Sequence, residues 1–205
     1  PVVVLNVSRW RSDALIVTTN GVRAIPLPDL TLEDAHERMR RHLAALEAYE
    51  RSVEAAEAAQ TALAGGSGEH ALISGAYRAA RERAAASTAC ERELVETCGW
   101  LWDAAVAPVV AELHLENADQ PPRMWWCPTG PLALLPVHAA GRDDMWLADL
   151  AVSSYTPTVR ALLEARRPRP TSARNRFLVV SALPGDPATS KLLAGADGHD
   201  VVPCD

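Results

Sequence analysis

The feature that most constrains the fold is an alternation of strand-like and helix-like segments in the last part of the chain. Residues 124–127 form a short apolar run, residues 150–155 a second and residues 177–181 a third. Thr156-Pro157-Thr158 is typical of a helix start, because threonine is a favoured N-cap and proline fits the first helical position. A helix is therefore expected over residues 159–166, and the alternation predicts an α/β core with a mostly parallel sheet.

The first thirty residues predict a small β-meander. Residues 2–7 and 13–19 are rich in β-branched and apolar side chains, and residues 22–25 resemble a returning strand. Asn20-Gly21 between them predicts a two-residue hairpin of type I′, which needs positive φ at both central positions. The prolines that follow would end the third strand, because proline cannot donate to the ladder.

A long helical region is expected next. Thr31 and Asp34 have the spacing of a capping box, and apolar residues then recur every three or four positions, followed by an Ala/Glu run and the glycine-rich break at residues 65–68. A second helix is expected from Glu69 towards Cys98. A third is expected from Trp100 to Leu115, kinked where Pro108 would clash with the preceding turn.

Charge and cysteine content exclude several classes of function. The 205-residue chain has a formal net charge of -6 and a pI near 5.5, so nucleic acid is not expected as the main ligand. Six arginines that could bind phosphate are interpreted instead as a solvated helix end and loop: Arg160, Arg166, Arg167, Arg169, Arg174 and Arg176. The cysteines have no C-x-x-C pair and no zinc-ligand spacing, which favours free thiols in a reducing cytosol and predicts no metal or cofactor.

No targeting signal is visible in the sequence. Pro1-Val2-Val3-Val4 lacks a basic region followed by an apolar one, and it looks like the start of a piece cut from a longer chain. The longest apolar runs are shorter than the ~20 residues that a membrane span needs. We therefore expect a cytoplasmic protein that does not contact membranes.

The histidines and cysteines do not form an evident catalytic pair. His36 and His42 are expected to be solvated on an Arg-rich helix, and His138 is expected to be a buried, hydrogen-bonded imidazole rather than a general base. Cys127 follows two tryptophans in an apolar strand, where burial would raise the pKa of its thiol. Cys90 and Cys98 are predicted to be core or half-buried residues of a helix.

The neighbouring Trp125 and Trp126 could form a platform for a ligand, but packing is the favoured interpretation. Side chains alternate along a strand, so one ring should face the core and the other the opposite layer. No phosphate-binding glycine loop, H-E-x-x-H or G-x-S-x-G motif is present, which disfavours a nucleotide-binding α/β domain, a metalloprotease and a lipase.

The segment that carries a family resemblance is MWWCPTGPLALLPVHAAG, residues 124–141. Its strand, Pro-x-Gly-x-Leu turn and Leu-Pro-hydrophobic element resemble those of CHAT domains, and the spacing to residues 147–158 and 177–180 matches as well. The resemblance is most specific from Trp125 to Thr158. It implies a caspase-like α/β fold, with a mostly parallel sheet flanked by helices, that is incomplete in this chain and is preceded by a β-meander and a long helical hairpin.

The resemblance also implies cysteine endopeptidase activity. The family's dyad is a His in an A-[TC]-H-G-like motif and a Cys in a later S-A-C-x-[TS]-like motif, and neither motif is in this chain, including its end at Cys204-Asp205. No catalytic, cofactor-binding or metal-binding residue can therefore be assigned, and the chain alone is expected to be inactive.

We therefore predict three segments: a meander at residues 1–30, a helical region at residues 31–116 and the front of a caspase-like core at residues 123–205. The expected partners are a protein substrate or a protein that regulates the domain, including a helical-repeat region or a second copy of the chain. The alternative function is a non-catalytic interaction module or a degenerate homologue, because the long helices offer amphipathic faces to another helix.

Overall fold

A computed structural model describes residues 1–66, 70–117 and 120–167. The strands are β1 (Val2–Asn6), β2 (Asp13–Thr18), β3 (Gly21–Pro26), β4 (Arg123–Pro128), β5 (Gly141–Arg142), β6 (Met145–Trp146) and β7 (Val152–Tyr155). The α-helices are α1 (Leu32–Gly65), α2 (His70–Leu101), α3 (Ala107–Leu113), α4 (Leu147–Leu150) and α5 (Val159–Ala165). Pro1–Leu163 form one compact unit, and Glu164–Asp205 belong to a second.

Within the described residues, the main sheet has five strands in the order β3-β2-β1-β4-β7. The β1–β4 and β4–β7 pairs are parallel, whereas the β1–β2 and β2–β3 pairs of the meander are antiparallel. The predicted α/β class is confirmed, and the predicted side-by-side parallel arrangement of the strands near residues 124–127 and 150–155 is confirmed with it. The predicted strand at residues 177–181 lies outside the described residues.

Among the described strands β1 is the middle one, because it pairs with β2 of the meander on one side and with the parallel strand β4 on the other. Val3 lies opposite Trp126 on one side and Ile16 on the other, and all three side chains are fully buried. The next strand positions on the opposite face, Val4 and Leu15 among them, are half-buried. The three-segment division stays a prediction, but strands of the first and third segments share one sheet.

The hairpin between β2 and β3 differs from the predicted turn by one residue. Thr18 pairs with Gly21, so the two loop residues are Thr19 and Asn20, and φ is positive at Gly21 (127°) but not at Asn20. The Asn20 N–H donates to the Thr18 hydroxyl oxygen (3.2 Å), which stabilises a turn that begins one residue earlier. The type I′ prediction with Asn20-Gly21 at the centre was therefore wrong, although the hairpin itself was predicted.

Helix α1 begins where the capping pattern indicated. The Asp34 N–H donates to Thr31 Oγ1 (3.0 Å), and the Thr31 hydroxyl donates to the Asp34 carboxylate (2.7 Å). The helix ends at Gly65, at the predicted glycine break, and α2 returns beside it. Arg41 of α1 joins the two helices by binding Glu93 (2.6 Å) and Glu96 (2.7 Å) of α2.

The predicted break between a second and a third helix is absent. α2 continues into a π-helical segment, Trp102–Val106, and then into α3, so one helical stretch runs from His70 to Leu113. The Ala107 N–H donates to the Trp102 carbonyl, one residue further back than in an α-helix. This wider turn lies directly before Pro108, where a regular helix would suffer the ring clash, so the proline is accommodated without ending the helix.

The stretch His70–Leu113 also tests the expectation about membrane spans. It is the one helix among the described residues that is long enough and apolar enough to cross a membrane, judged by length and composition. An 18-residue window of this helix has a mean hydropathy of 1.3. The structure buries 56% of that window, as it would for the core helix of a folded protein. The localisation stays a prediction.

The segment after β4 folds into two 3₁₀ turns, Gly130–Leu134 and Val137–Ala139, before β5. β7 and α5 follow, close to the predicted strand and helix. The cap of α5 is Thr158, whose Oγ1 accepts a hydrogen bond from the Ala161 N–H (3.0 Å), whereas the Thr156 hydroxyl donates to the Thr158 carbonyl (2.8 Å). The prediction of Thr156 as the N-cap was therefore wrong by two residues. The Thr156 hydroxyl does not cap the helix because it binds the Thr158 carbonyl in the turn before the helix.

Candidate functional site

The parallel strands β1, β4 and β7 end at one edge of the sheet, and this edge is the candidate site. β1, β4 and β7 run in the same direction, so Val7, Thr129 and Thr156 come directly after their carboxyl ends. In open α/β sheets, ligands bind in the crevice outside these ends. The edge therefore places backbone and side-chain groups from distant parts of the sequence where a ligand would be expected.

Thr129 joins two of the strand ends. Its N–H and its hydroxyl both donate to the Leu5 carbonyl (3.0 and 2.9 Å), and its Oγ1 accepts from the Val7 N–H (3.4 Å). Gly130 follows with φ of +55°, a conformation that a side chain disfavours. The Pro-x-Gly-x-Leu turn thus has a structural reason: it fastens β4 to β1 and reverses the chain away from the edge.

Cys127 lies beside this edge but does not face a base. Its side chain is buried, its Sγ donates to the Pro157 carbonyl (3.5 Å), and burial raises the pKa of the thiol. Burial likewise raises the pKa of Cys98 in α2. Cys90 is half-buried, so the prediction of core or half-buried cysteines is confirmed for all three, while Cys204 lies outside the described residues.

His138 is hydrogen-bonded as predicted, but the prediction that it is buried was wrong. The Tyr155 hydroxyl lies 2.9 Å from both the backbone nitrogen and Nδ1 of His138, and the two rings meet edge to face. The 3₁₀ turn points Val137 into the core, so the next side chain faces outwards. Burial raises the pKa of the Tyr155 hydroxyl, and this outweighs the backbone N–H groups of His138 and Val137, which lower it.

Neither His36 nor His42 pairs with a thiol in the described part of the chain. His36 is exposed, and its Nδ1 contacts the Leu32 carbonyl at 2.9 Å. His42 was expected to be solvated but is buried, because it lies on the stripe of α1 that faces α2. Among residues 1–66, 70–117 and 120–167, no hydrogen bond joins a thiol to an imidazole, and no three metal-binding side chains form a cluster.

The tryptophan pair alternates between the two faces of β4. Trp126 is completely buried, and its Nε1 donates to the Ser153 hydroxyl oxygen of β7 (3.2 Å). Trp125 is half-buried on the opposite face. Packing of both rings on opposite faces was the favoured interpretation; the alternation and the burial of Trp126 in the core are confirmed, while Trp125 is only half-buried.

An open cavity of about 770 Å³ adjoins the carboxyl end of β1, and sequence reasoning did not find it. The β1–β2 loop and the segment between β3 and α1 line it. Trp10, 79% exposed, stands at this loop with the Arg9 guanidinium 4.4 Å from its ring centre, and Pro26, Leu27 and Leu30 lie on the other side. The only sequence signal was an isolated Arg-Trp-Arg run, residues 9–11, between two strands.

The polar groups of this cavity are only partly paired within the described structure. Arg11 binds Asp13 through two hydrogen bonds, one of 2.7 Å, and the guanidinium lowers the pKa of that carboxyl. Ser12 is buried, and its hydroxyl makes no hydrogen bond to a described residue. In the predicted basic stretch, Arg167 pairs with Glu164 (2.9 Å), and Arg169, Arg174 and Arg176 lie outside the described residues.

The family model described as CHAT domain matches residues 95–197, just over half of the chain. This chain belongs to the CHAT domain family. The match begins in α2 and includes β4, the 3₁₀ turns, β7 and α5, so it contains the segment from Trp125 to Thr158 on which the resemblance was based. No curated protein and no solved structure matches the chain.

Family membership shows which fold the candidate edge belongs to. As a CHAT domain the chain has a caspase-like α/β fold, and within the described residues β1, β4 and β7 are its parallel strands. The α1–α2 hairpin lies almost wholly before the matched residues, as do the meander and the cavity beside Trp10.

Proposed function

We propose that this chain is the front part of a CHAT-domain cysteine endopeptidase whose His/Cys dyad lies outside the chain. In this mechanism a cysteine thiolate attacks the scissile carbonyl, a histidine transfers the proton to the leaving amine, and backbone N–H groups hold the oxyanion. The residues described here build the sheet and its carboxyl edge, against which the dyad would be placed.

One observation carries this proposal. Cys127 and His138 both lie within the signature segment, residues 124–141, and each is hydrogen-bonded to a different residue, Pro157 and Tyr155 respectively. A nucleophile needs a thiolate and a base within hydrogen-bond reach, whereas burial raises the pKa of Cys127. Family membership without a dyad in the described part of the chain supports a dyad elsewhere in the protein.

The cavity beside Trp10 supports a protein or peptide substrate. It adjoins the edge where the strands end, and its lining combines an exposed indole, apolar side chains and the Arg9 guanidinium. Exposed tryptophan and arginine are side-chain types enriched in protein-binding surfaces. We propose that the substrate or a regulatory protein contacts this cavity in the cytoplasm.

The test uses the full-length gene product, for which the proposal predicts a dyad beyond Asp205. Its cleavage of a mixed peptide library should survive Cys127→Ala and His138→Ala, each within about twofold of the unmodified protein. Substitution of the cysteine in the downstream S-A-C-x-[TS]-like motif should abolish cleavage. Loss of cleavage in a folded Cys127→Ala protein would place the nucleophile inside this chain and contradict the proposal.

A non-catalytic interaction module is the second candidate, and the α1–α2 hairpin favours it. The two helices pack on each other, and apolar side chains such as Ile73 and Tyr77 are exposed on α2. Absence of both dyad motifs from the downstream gene sequence would favour this module over the peptidase.

A further inference from the structure

The distal part of the hairpin, residues 43–65 of α1 and 70–88 of α2, has an unusual inner stripe. Half-buried positions recur at alternating spacings of three and four residues, as in a coiled coil, and most of their side chains are small. On α1 the stripe runs through Ala45, Tyr49, Ser52, Ala56, Ala59 and Leu63. Two helices that contact each other through such small side chains bury little apolar surface. This part of the hairpin therefore has little packing of its own to stabilise it.

One side of the distal hairpin is a groove of about 630 Å³ between the two helices. Tyr49, Ala56 and Leu63 line it from α1, and Ala76, Ala80 and Ala84 from α2. A groove with a floor of alanine side chains has room for large side chains from another helix.

Large apolar side chains stand beside this groove on the same hairpin. Ile73 is 51% exposed and Tyr77 is 70% exposed. They precede Ala80 and Ala84 at helical spacing, so they lie on the same side of α2 as the groove. The hairpin therefore has both a shallow apolar groove and the protruding residues that would fill one.

The distal segments carry opposite charge. Residues 43–65 contain four glutamates and one arginine, a net charge of -3, whereas residues 70–88 contain three arginines and one glutamate, a net charge of +2. Within the described structure Glu54, Glu57, Arg81 and Arg83 form no ion pairs, although all four are exposed. The cross-helix ion pairs of the hairpin lie near its base, where Arg38 and Arg41 of α1 bind acidic residues of α2.

We propose that this face binds a second copy of the chain, with α1 of each copy against α2 of the other. Two-fold symmetry brings Tyr77 and Ile73 of one copy to the alanine-lined groove of its partner, and the reverse, in an isologous contact. The same arrangement brings the acidic distal segment of α1 against the basic distal segment of α2. The result is a four-helix bundle in which each neighbouring pair is antiparallel.

This pairing is independent of the proposed peptidase activity, and its test needs no cleavage. Sedimentation equilibrium of the 205-residue chain should show a monomer–dimer equilibrium whose affinity falls as salt rises, because the charges are exposed and screened. Tyr77→Glu should raise the dimer dissociation constant more than tenfold. The matched control Leu134→Glu, at a 55% exposed position next to the sheet, should leave it unchanged.

Charge reversal tests the arrangement of the helices. The double variant Glu54→Arg/Glu57→Arg should weaken the dimer, and adding Arg81→Glu/Arg83→Glu should restore it, because both segments then change sign together. The fourfold variant should pair poorly with the unmodified chain. A chain that stays monomeric at all concentrations and salt levels, or a dimer that Tyr77→Glu does not weaken, would overturn the proposal; circular dichroism confirms that each variant is folded.

Discussion

At the scale of single residues, local chemistry explains the behaviour of the cysteines and of His138. The Cys127 thiol is unreactive because it is buried in β4, the strand that begins the segment of family resemblance (residues 124–141, the signature segment), and because the Pro157 carbonyl accepts its hydrogen bond. His138 is exposed because a 3₁₀ turn, which a continuous apolar run does not reveal, reverses the direction of successive side chains. Burial of cysteine was predictable from its neighbours, whereas exposure of histidine depended on turn geometry.

The raised pKa values predict how stability depends on pH. Burial raises the pKa of Cys98, Cys127 and Tyr155 in the folded chain, so the folded state holds these protons to higher pH than the unfolded state does. Their stabilising contribution is complete below the unfolded values, about 8.5 for cysteine and 10 for tyrosine, and it is lost as pH rises towards the folded values. The free energy of unfolding should therefore fall from about pH 8 upwards.

Urea unfolding from pH 6 to pH 10 measures this effect. The double variant Cys98→Ala/Cys127→Ala should lose less stability over that range than the unmodified chain, because only the Tyr155 contribution remains. Equal pH slopes for the two proteins would contradict the assignment of raised pKa values to the thiols.

At the scale of elements, β1 should be the most sensitive strand of the sheet. Leu5 is fully buried in the middle strand, and its truncation in Leu5→Ala should cost about 2–5 kcal/mol of unfolding free energy. Val22 is exposed on the edge strand β3, so the matched change Val22→Ala should stay within about 0.5 kcal/mol. Thermal and urea unfolding compare the two, and equal costs would contradict the central position of β1.

Which segments form helices and strands was largely predictable from the sequence, whereas how these elements continue into and pair with one another was not. Thr31 with Asp34, the glycines near residue 65 and the β-branched runs have local causes, and the structure confirms what they indicated. The continuation of α2 past Pro108 depends on a single π-helical turn, and the parallel pairing of β1 with β4 joins residues more than a hundred positions apart. Neither arrangement has a signal in a short window of sequence.

At the scale of the whole molecule, the signature segment and the meander form one structural unit. The Thr129 hydroxyl donates to the Leu5 carbonyl, so the turn that carries the family resemblance is fastened to the first strand of the chain. The candidate edge could be predicted in part, because parallel strands imply a shared carboxyl edge. The cavity beside Trp10 could not, because it arises where two loops meet.

The most direct test of the account is to find which cysteine reacts in the full-length gene product. A peptide-based thiol-reactive probe at neutral pH, followed by digestion and mass spectrometry, identifies the labelled residue. We expect the label on a cysteine beyond Asp205, in the S-A-C-x-[TS]-like motif, with Cys90, Cys98, Cys127 and Cys204 unmodified. Selective labelling of any of these four cysteines, blocked by a competing substrate, would contradict the claim that this chain supports the catalytic dyad without containing it.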